Sequence, residues 1–267
     1  MRIDEETKRI YVRQSWLGDM TICAERARLG ITRPEFRSGS DATIIGTAMH
    51  TGIEAVLNSN GEMSYEDMMT VAKDDYAHLA SLPHKVTNID PNSIMDSMAG
   101  MGEAFYSGIL PQVTLGGKTE FKFSVPLRVT YEDYSIYLEG TMDYIDPNGT
   151  IWDWKTSSRV YYGKDKQKSA IQPTAYAYAA QYLALAGDDV EFNYGVMVRQ
   201  AAPKHQVVPI YRNLSHADWL QYYVQATVSS TMSMGISKPW LLNDSSALCS
   251  ENWCSFWSIC KGAFGCR

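Results

Sequence analysis

The stretch Gly140-Thr-Met-Asp143-Tyr-Ile-Asp146-Pro-Asn-Gly149-Thr-Ile-Trp-Asp153-Trp-Lys155-Thr156 decides the fold. Two alternating runs, 134–146 and 150–156, flank the turn signal Asp146-Pro147-Asn148-Gly149, which is the pattern of a β-hairpin. Side chains two apart on a strand share a face, so Asp153 and Lys155 point one way and Trp152 and Trp154 the other. With a Pro147-Asn148-Gly149 loop, Asp146 pairs with Thr150 and Asp143 falls opposite Asp153. A two-residue Asn-Gly loop would set Asp143 opposite Trp154 instead. Facing carboxylates destabilise a sheet unless something positive lies between them, and a divalent metal is the natural candidate.

Downstream of the hairpin, Ile171 to Gly187 reads as a helix with Gly187 as its stop. Gln172 and Tyr176 lie four apart and share a face, and Pro173 requires the helix to begin before it, which puts Gln172 in the first turn. Arg159, Lys164, Lys166 and Lys168 crowd the intervening segment, either as a solvated loop or as phosphate contacts beside the metal site. Upstream, Ile44 to Asn58 has apolar positions at a period near 3.6, with Gly46, His50 and Glu54 on one face. A histidine there is commonly structural; a glycine one turn before it lets neighbouring backbone approach.

The remaining segments read more simply. Residues 13–29 are predicted as one helix, with Trp16, Leu17, Met20 and Cys23 or Ala24 along a face, so that Cys23 would by default be buried. Residues 63–110 are predicted as two or three helical pieces broken at Pro83-His84 and Asp90-Pro91-Asn92. Their methionines, Met68, Met69, Met95, Met98 and Met101, read as core filler, and neither His78 nor His84 has an assigned role. Residues 118–125 alternate as a strand, with Glu120 on the face of Lys122 and Ser124. Residues 190–198 and 206–211 read as further strands, and 215–234 as a helix capped by Ser215.

Hydrophobic residues make up 45% and charged residues 20% of the 267, as in an ordinary globular protein. No apolar run approaches the roughly 18–20 residues of a membrane span, and the charged start is unlike a signal peptide, so a cytoplasmic protein without a membrane is expected. A net charge of -6 argues against coating nucleic acid non-specifically but not against local capture of a strand. Of five cysteines, Cys249, Cys254, Cys260 and Cys266 crowd the C-terminal end. An odd number without a secretory signal does not suggest a disulfide framework, and the clustering calls for a metal or redox explanation. No close C-x-x-C pair of the zinc-ribbon type occurs, although zinc stays open by ligand chemistry.

The ordered motifs Gly46-x-x-x-His50, Gly140-x-x-Asp143-x-x-Asp146, Asp153-x-Lys155 and Gln172-x-x-x-Tyr176 resemble the RecB-like branch of the PD-(D/E)XK nucleases, over nearly the whole chain. The resemblance implies an α/β, restriction-endonuclease-like mixed sheet flanked by helices, a single nuclease domain over 1–267 with a helical insertion at 62–112. It implies that His50, Asp143, Asp153 and the carbonyl of Trp154 hold one or two Mg2+ or Mn2+ ions, that Lys155 is catalytic, and that Gln172 and Tyr176 line the site and contact the DNA backbone. Glu120 matches a polar position that the family often has near its metals.

A subset of this family, including the AddB nuclease domain and CRISPR-associated RecB-like proteins, holds a 4Fe-4S cluster on one N-terminal and three C-terminal cysteines. Carried over, this implies Cys23, Cys249, Cys254 and Cys260 as cluster ligands, with Cys266 as the rival of Cys249. The gap from Cys249 to Cys254 is longer than the usual C-x-x-C. The cluster would lie in a region built from 13–29 and 245–267, joining the two ends of the chain. The implied function is a metal-dependent exonuclease on single-stranded DNA ends, in phage or prokaryotic DNA processing, recombination or CRISPR adaptation, with proteins of those processes as partners. Two alternatives are a nuclease-fold DNA-binding subunit active only with a partner, and an iron-sulfur redox protein.

Overall fold

The computed structural model describes residues 1–267 apart from 38, 84–88, 170, 252 and 265–267. Its elements in chain order are β1 (Arg2–Asp4), β2 (Arg9–Arg13), α1 (Gln14–Ile22), α2 (Ala24–Thr32), α3 (Asp41–Asn58), α4 (Tyr65–Ala80), α5 (Pro91–Glu103), β3 (Lys118–Tyr131), β4 (Tyr134–Ile145), β5 (Ile151–Ser157), α6 (Gly163–Ser169), α7 (Ile171–Tyr182), β6 (Val190–Val198), β7 (His205–Arg212), α8 (Leu214–Met234) and α9 (Trp257–Phe264). The strands make a seven-stranded sheet of order β1-β2-β4-β5-β6-β7, with β3 paired to β4. Parallel and antiparallel pairs mix, giving the α/β mixed sheet with helices that the sequence predicts. Among the described residues no helix is long and apolar enough to cross a membrane.

The chain divides into two compact units. One comprises Met1–Ser38, Phe123–Gly140 and Ser215–Arg267, the other Gly39–Lys122 and Thr141–Leu214.

The second unit contains the hairpin. Tyr144 faces Trp152 and Ile145 faces Ile151 across an antiparallel pair. The Asp146 N–H donates to the Thr150 carbonyl at 3.0 Å. Asp146 Oδ1 accepts from the N–H groups of Asn148 and Thr150 at 2.8 and 2.9 Å, and Gly149 takes the left-handed backbone (φ 85°) that the turn needs. The loop is therefore Pro147-Asn148-Gly149, and the register sets Asp143 opposite Asp153. β5 then runs parallel to β6, with Asp153 opposite Tyr194, and β6 is antiparallel to β7.

On the other face of β5, Trp152 and Trp154 stack at 5.6 Å, and Phe105 meets Trp154 edge-on at 5.5 Å. These rings join Met68, Met69, Met98 and Met101 in one buried cluster, with Met95 partly buried against it, so the methionines are core as the sequence predicts. Each such side chain contributes about 1.5–3 kcal/mol relative to exposure. α3 starts from a capping box of Ser40 and Thr43 and brings Gly46 against β5, where an added Cβ would lie 2.9 Å from Thr156 Oγ1. α7 places Gln172 and Pro173 in its first turn, as expected. It ends at Tyr182 rather than Gly187, because Ala184 takes the left-handed conformation (φ 54°) that stops it. α8 begins at Leu214, so Ser215 lies inside the helix rather than capping it.

In the first unit β1 pairs antiparallel with β2, and β2 runs parallel to the first half of β4, with Tyr11 opposite Tyr137 and Arg13 opposite Glu139. The single helix expected over 13–29 is two helices, α1 and α2, broken at Cys23, which is extended (φ -165°, ψ 119°). The break is held from far away in sequence. The Glu25 N–H donates to the Leu241 carbonyl at 3.1 Å, and the Glu25 carboxylate accepts from the Trp240 N–H, 215 residues downstream, at 2.6 Å. Periodicity within 13–29 cannot register partners at that distance.

Candidate active site and cysteine cavity

The register of the hairpin turns its two aspartates towards each other and backbone fixes one of them. Asp143 Oδ2 accepts from the Trp154 N–H at 2.8 Å. Asp153 is 1% exposed; its Oδ1 accepts from the Gln172 amide at 2.6 Å and its Oδ2 pairs with the Lys155 ammonium. Gln172 also reaches the Tyr176 hydroxyl at 3.4 Å. His50, on α3, stands between strand and helix, with Nε2 2.8 Å from the Trp154 carbonyl and Nδ1 3.5 Å from Asp143 Oδ2. The structure thus gathers His50, Asp143, Asp153, Lys155, Gln172 and Tyr176, which lie far apart in sequence. The Trp154 carbonyl, expected as a metal ligand, is here the partner of His50.

Glu120 completes the arrangement. One ligand atom each of His50, Glu120 and Asp143 lies within 4.8 Å of the others. Glu120 is presented by a left-handed backbone (φ 42°) inside β3, a strained conformation for a glutamate. Strand alternation gave no sign of this conformation. Asp146, the last residue of its motif, binds the turn N–H groups and does not join the group.

The electrostatics suit a cation. Burial and then Asp153 push the Asp143 carboxyl well above the usual carboxylate range, against the opposing pull of Lys155. Burial and then Glu54 raise Glu120. Burial acts to lower Lys155, but Asp153 and Asp143 outweigh it and hold the amine protonated. Burial and then Lys155 lower His50, which favours the neutral ring. A neutral His50 that donates from Nε2 to the Trp154 carbonyl leaves the Nδ1 lone pair facing Asp143. Two carboxylates reluctant to ionise and one imidazole nitrogen, all converging, form the hard-to-borderline donor set of Mg2+ or Mn2+.

Aromatic rings that sequence reading did not single out close in around the lysine. Asp153 lies opposite Tyr194 in the sheet, and Lys155 Nζ sits 6.0 Å from the Tyr194 ring. Lys166 of α6, one of the predicted basic residues, lies 4.3 Å over Tyr161 and 5.7 Å from Tyr194. Sheet register puts Tyr194 at the site, and the segment between β5 and α6 puts Tyr161 there. Burial raises Tyr176 to about 12, so its hydroxyl stays protonated as a donor.

In the first unit, Cys23, Cys249, Cys254 and Cys260 line one small cavity of about 30 Å3 together with apolar side chains that include Leu242, Phe256 and Trp257. None of the four is in a disulfide, and all are half-buried. Cys23 reaches the cavity from the break between α1 and α2, and Cys260 from α9. Burial, Glu25 and the three other thiols push Cys260 up to about 11, the behaviour of soft donors packed together without a metal. Cys266 and His84 lie outside the described residues.

No curated protein matches the sequence. Among solved structures, the crystal structure of a putative exonuclease from Eubacterium rectale is similar over 93% of this chain and 92% of its own at 12% identity, with a TM-score of 0.58, which supports the shared fold. SSO0001 covers 98% of this chain and 89% of its own at 13% identity, with a TM-score of 0.41. Residues 23–261 match the PD-(D/E)XK nuclease superfamily, and their sheet is the restriction-endonuclease-like one; the chain belongs to that superfamily.

Proposed function

We propose that this chain is a RecB-like, Mg2+- or Mn2+-dependent deoxyribonuclease that degrades single-stranded DNA from an end, in prokaryotic or phage DNA processing. The observation that carries the reading is the facing pair Asp143 and Asp153 with Lys155 beside them and His50 and Glu120 converging on Asp143. A divalent ion held there acidifies an attached water and offsets charge on the scissile phosphate. His50, Asp143, Glu120 and Asp153 would hold that ion, and the Trp154 carbonyl orients His50.

The remaining roles follow from charge and position. Lys155, kept cationic by its two carboxylates, donates to the non-bridging oxygen on which charge develops and positions the attacking water. Gln172 holds Asp153 in place, and Tyr176 and Lys166 offer donors to the DNA backbone. The helical segment 62–112 is the insertion beside the site, and partners among recombination or CRISPR adaptation proteins fit such an enzyme. A cytoplasmic location follows from the substrate.

The four cysteines are proposed as the ligands of a 4Fe-4S cluster that fastens residues near 23 to those near 249–260. Four thiols from one N-terminal and three C-terminal positions, with no close C-x-x-C pair of the zinc-ribbon type, suit iron-sulfur ligation, which tolerates such spacings.

Digestion of linear against circular single-stranded DNA with Mn2+, alongside Lys155→Ala, tests the enzymatic reading. Loss of linear DNA alone, abolished in the variant, is the expected result. Cleavage of circles would remove the exonuclease assignment, and no cleavage with either Mg2+ or Mn2+ would overturn the nuclease reading in favour of a binding role. Brown protein with broad visible absorbance is expected for the cluster, whereas colourless protein containing zinc would contradict it.

A further inference from the structure

A cavity of about 360 Å3 in the first unit lies where β1, β2 and β4 meet α1 and α2. Its volume is that of a small-molecule site, for which about 300–1,000 Å3 is usual. Three guanidinium groups border it, from Arg2, Arg13 and Arg37. One carboxylate in the lining, Glu139, answers them, 3.2 Å from Arg2 and 3.8 Å from Arg13. Arg37 pairs with Asp19, whose other oxygen is taken by Arg26 at 2.8 Å. The three bordering arginines are thus answered by two carboxylates, Glu139 in the lining and Asp19 behind Arg37, so the cavity keeps an excess of one positive charge.

Its walls are aromatic as well as basic. The Arg2 guanidinium lies over the Tyr11 ring at 3.8 Å, and Tyr11 in turn packs against Tyr137 at 5.5 Å. Stacked guanidinium and phenol planes are platforms on which a nucleobase lies flat, while free guanidinium edges bind phosphate. Trp16 forms another wall, and its indole nitrogen has no hydrogen-bond partner among the described residues. Gly30 fixes the third arginine: a Cβ there would come within 2.2 Å of Arg37 Nη2, so the bare helix surface lets that guanidinium lie across α2 at the cavity edge.

We propose that this cavity is a second nucleotide-binding site, with Arg13 and Arg37 on the phosphate and the Arg2–Tyr11 stack against the base. All its lining residues belong to the first unit, and none is among the residues of the proposed catalytic centre. The ligand is a phosphorylated nucleoside, either free or as an unpaired unit of a strand.

Calorimetric titration of the full chain in EDTA, with inorganic phosphate, dAMP and a short oligo-dT, tests it. dAMP or the oligonucleotide should bind more tightly than phosphate, and Arg13→Ala should weaken binding about tenfold, the loss of one charge-assisted hydrogen bond. Arg13 is 72% exposed along its side chain, so its removal leaves the fold intact. Gly30→Ala gives an independent check: alanine suits a helix better than glycine, so the melting temperature should hold or rise while binding falls with the displacement of Arg37. Tighter binding of dAMP identifies a free nucleotide as the ligand, and tighter binding of oligo-dT a strand, provided that both variants reduce it. Equal affinity for phosphate and dAMP would overturn the nucleotide assignment. Binding unchanged in both variants, or absent for all three probes, would overturn the site.

Discussion

The hairpin site and the cysteine cavity each bring together residues remote in sequence, but they do so by different means. At the hairpin, a three-residue turn and the strand register set Asp143 against Asp153, and backbone and side-chain hydrogen bonds hold both before any ligand arrives. In the cysteine cavity, Cys23 comes from a helix break and its three partners from the far end of the chain, with a small apolar space between them. The first is organised by the sheet, whereas the second, as proposed, would gain much of its hold on the chain from the group its thiols bind. Damage at the hairpin should therefore remove chemistry and spare the fold, and damage at the cysteines should do the reverse.

Lys155→Ala should show the largest effect, cutting DNA cleavage about 10^2–10^3-fold with far-UV circular dichroism unchanged; a variant that unfolds instead would erase the distinction between the two regions. Cys254→Ser should lose the visible absorbance and lower stability by on the order of 3 kcal/mol, because it opens a closure between distant parts of the chain. Denaturant melts of oxygen-free protein would read that loss. Unchanged stability would make the cavity incidental.

Gly46→Ala sharpens the comparison at smaller scale. Its Cβ meets Thr156 Oγ1 and should shift α3, and His50 with it, away from β5, at a cost of about 1–3 kcal/mol. Cleavage should fall several-fold with little change in KM, as steady-state kinetics would show.

The smallest effect concerns pH. Because the Asp143 carboxyl is raised, the metal-free native state binds that proton more tightly than the unfolded chain does. Its contribution to metal-free stability therefore grows as pH falls into the raised range above the ordinary carboxylate value of about 4, and is lost as pH climbs through it. The lowered pKa of His50 works oppositely, favouring the fold above about 6.5 and weakening it as pH falls. Asp143→Asn isolates the carboxyl: its metal-free melting temperature should exceed that of the wild type at pH 8, with the gap closing on acidification. A wild type more stable than the variant at pH 8 would refute this sign.

Local chemistry made part of this legible from sequence. The turn residues and alternation around Asp146–Gly149 specify the hairpin but leave two registers open; the structure takes the three-residue loop, which sets Asp143 opposite Asp153. The helix bearing His50 and the start of α7 follow from periodicity and from the constraint at Pro173. What stayed hidden depends on tertiary structure. The break at Cys23 is held by Leu241 and Trp240, the left-handed backbone at Glu120 lies inside a strand whose pattern reads as regular, and Tyr194 joins the site only through its register with Asp153. The arginine-lined cavity was likewise invisible, since its residues come from separate strands and helices.

The central claim is that the converging His50, Glu120 and Asp143 hold a divalent metal, and Mn2+ binding followed by electron paramagnetic resonance tests it most directly. The account predicts that wild-type protein takes up one or two Mn2+ ions near neutral pH and that Asp143→Asn, folded and with its cysteines intact, loses that binding. Equal uptake by wild type and Asp143→Asn would contradict it.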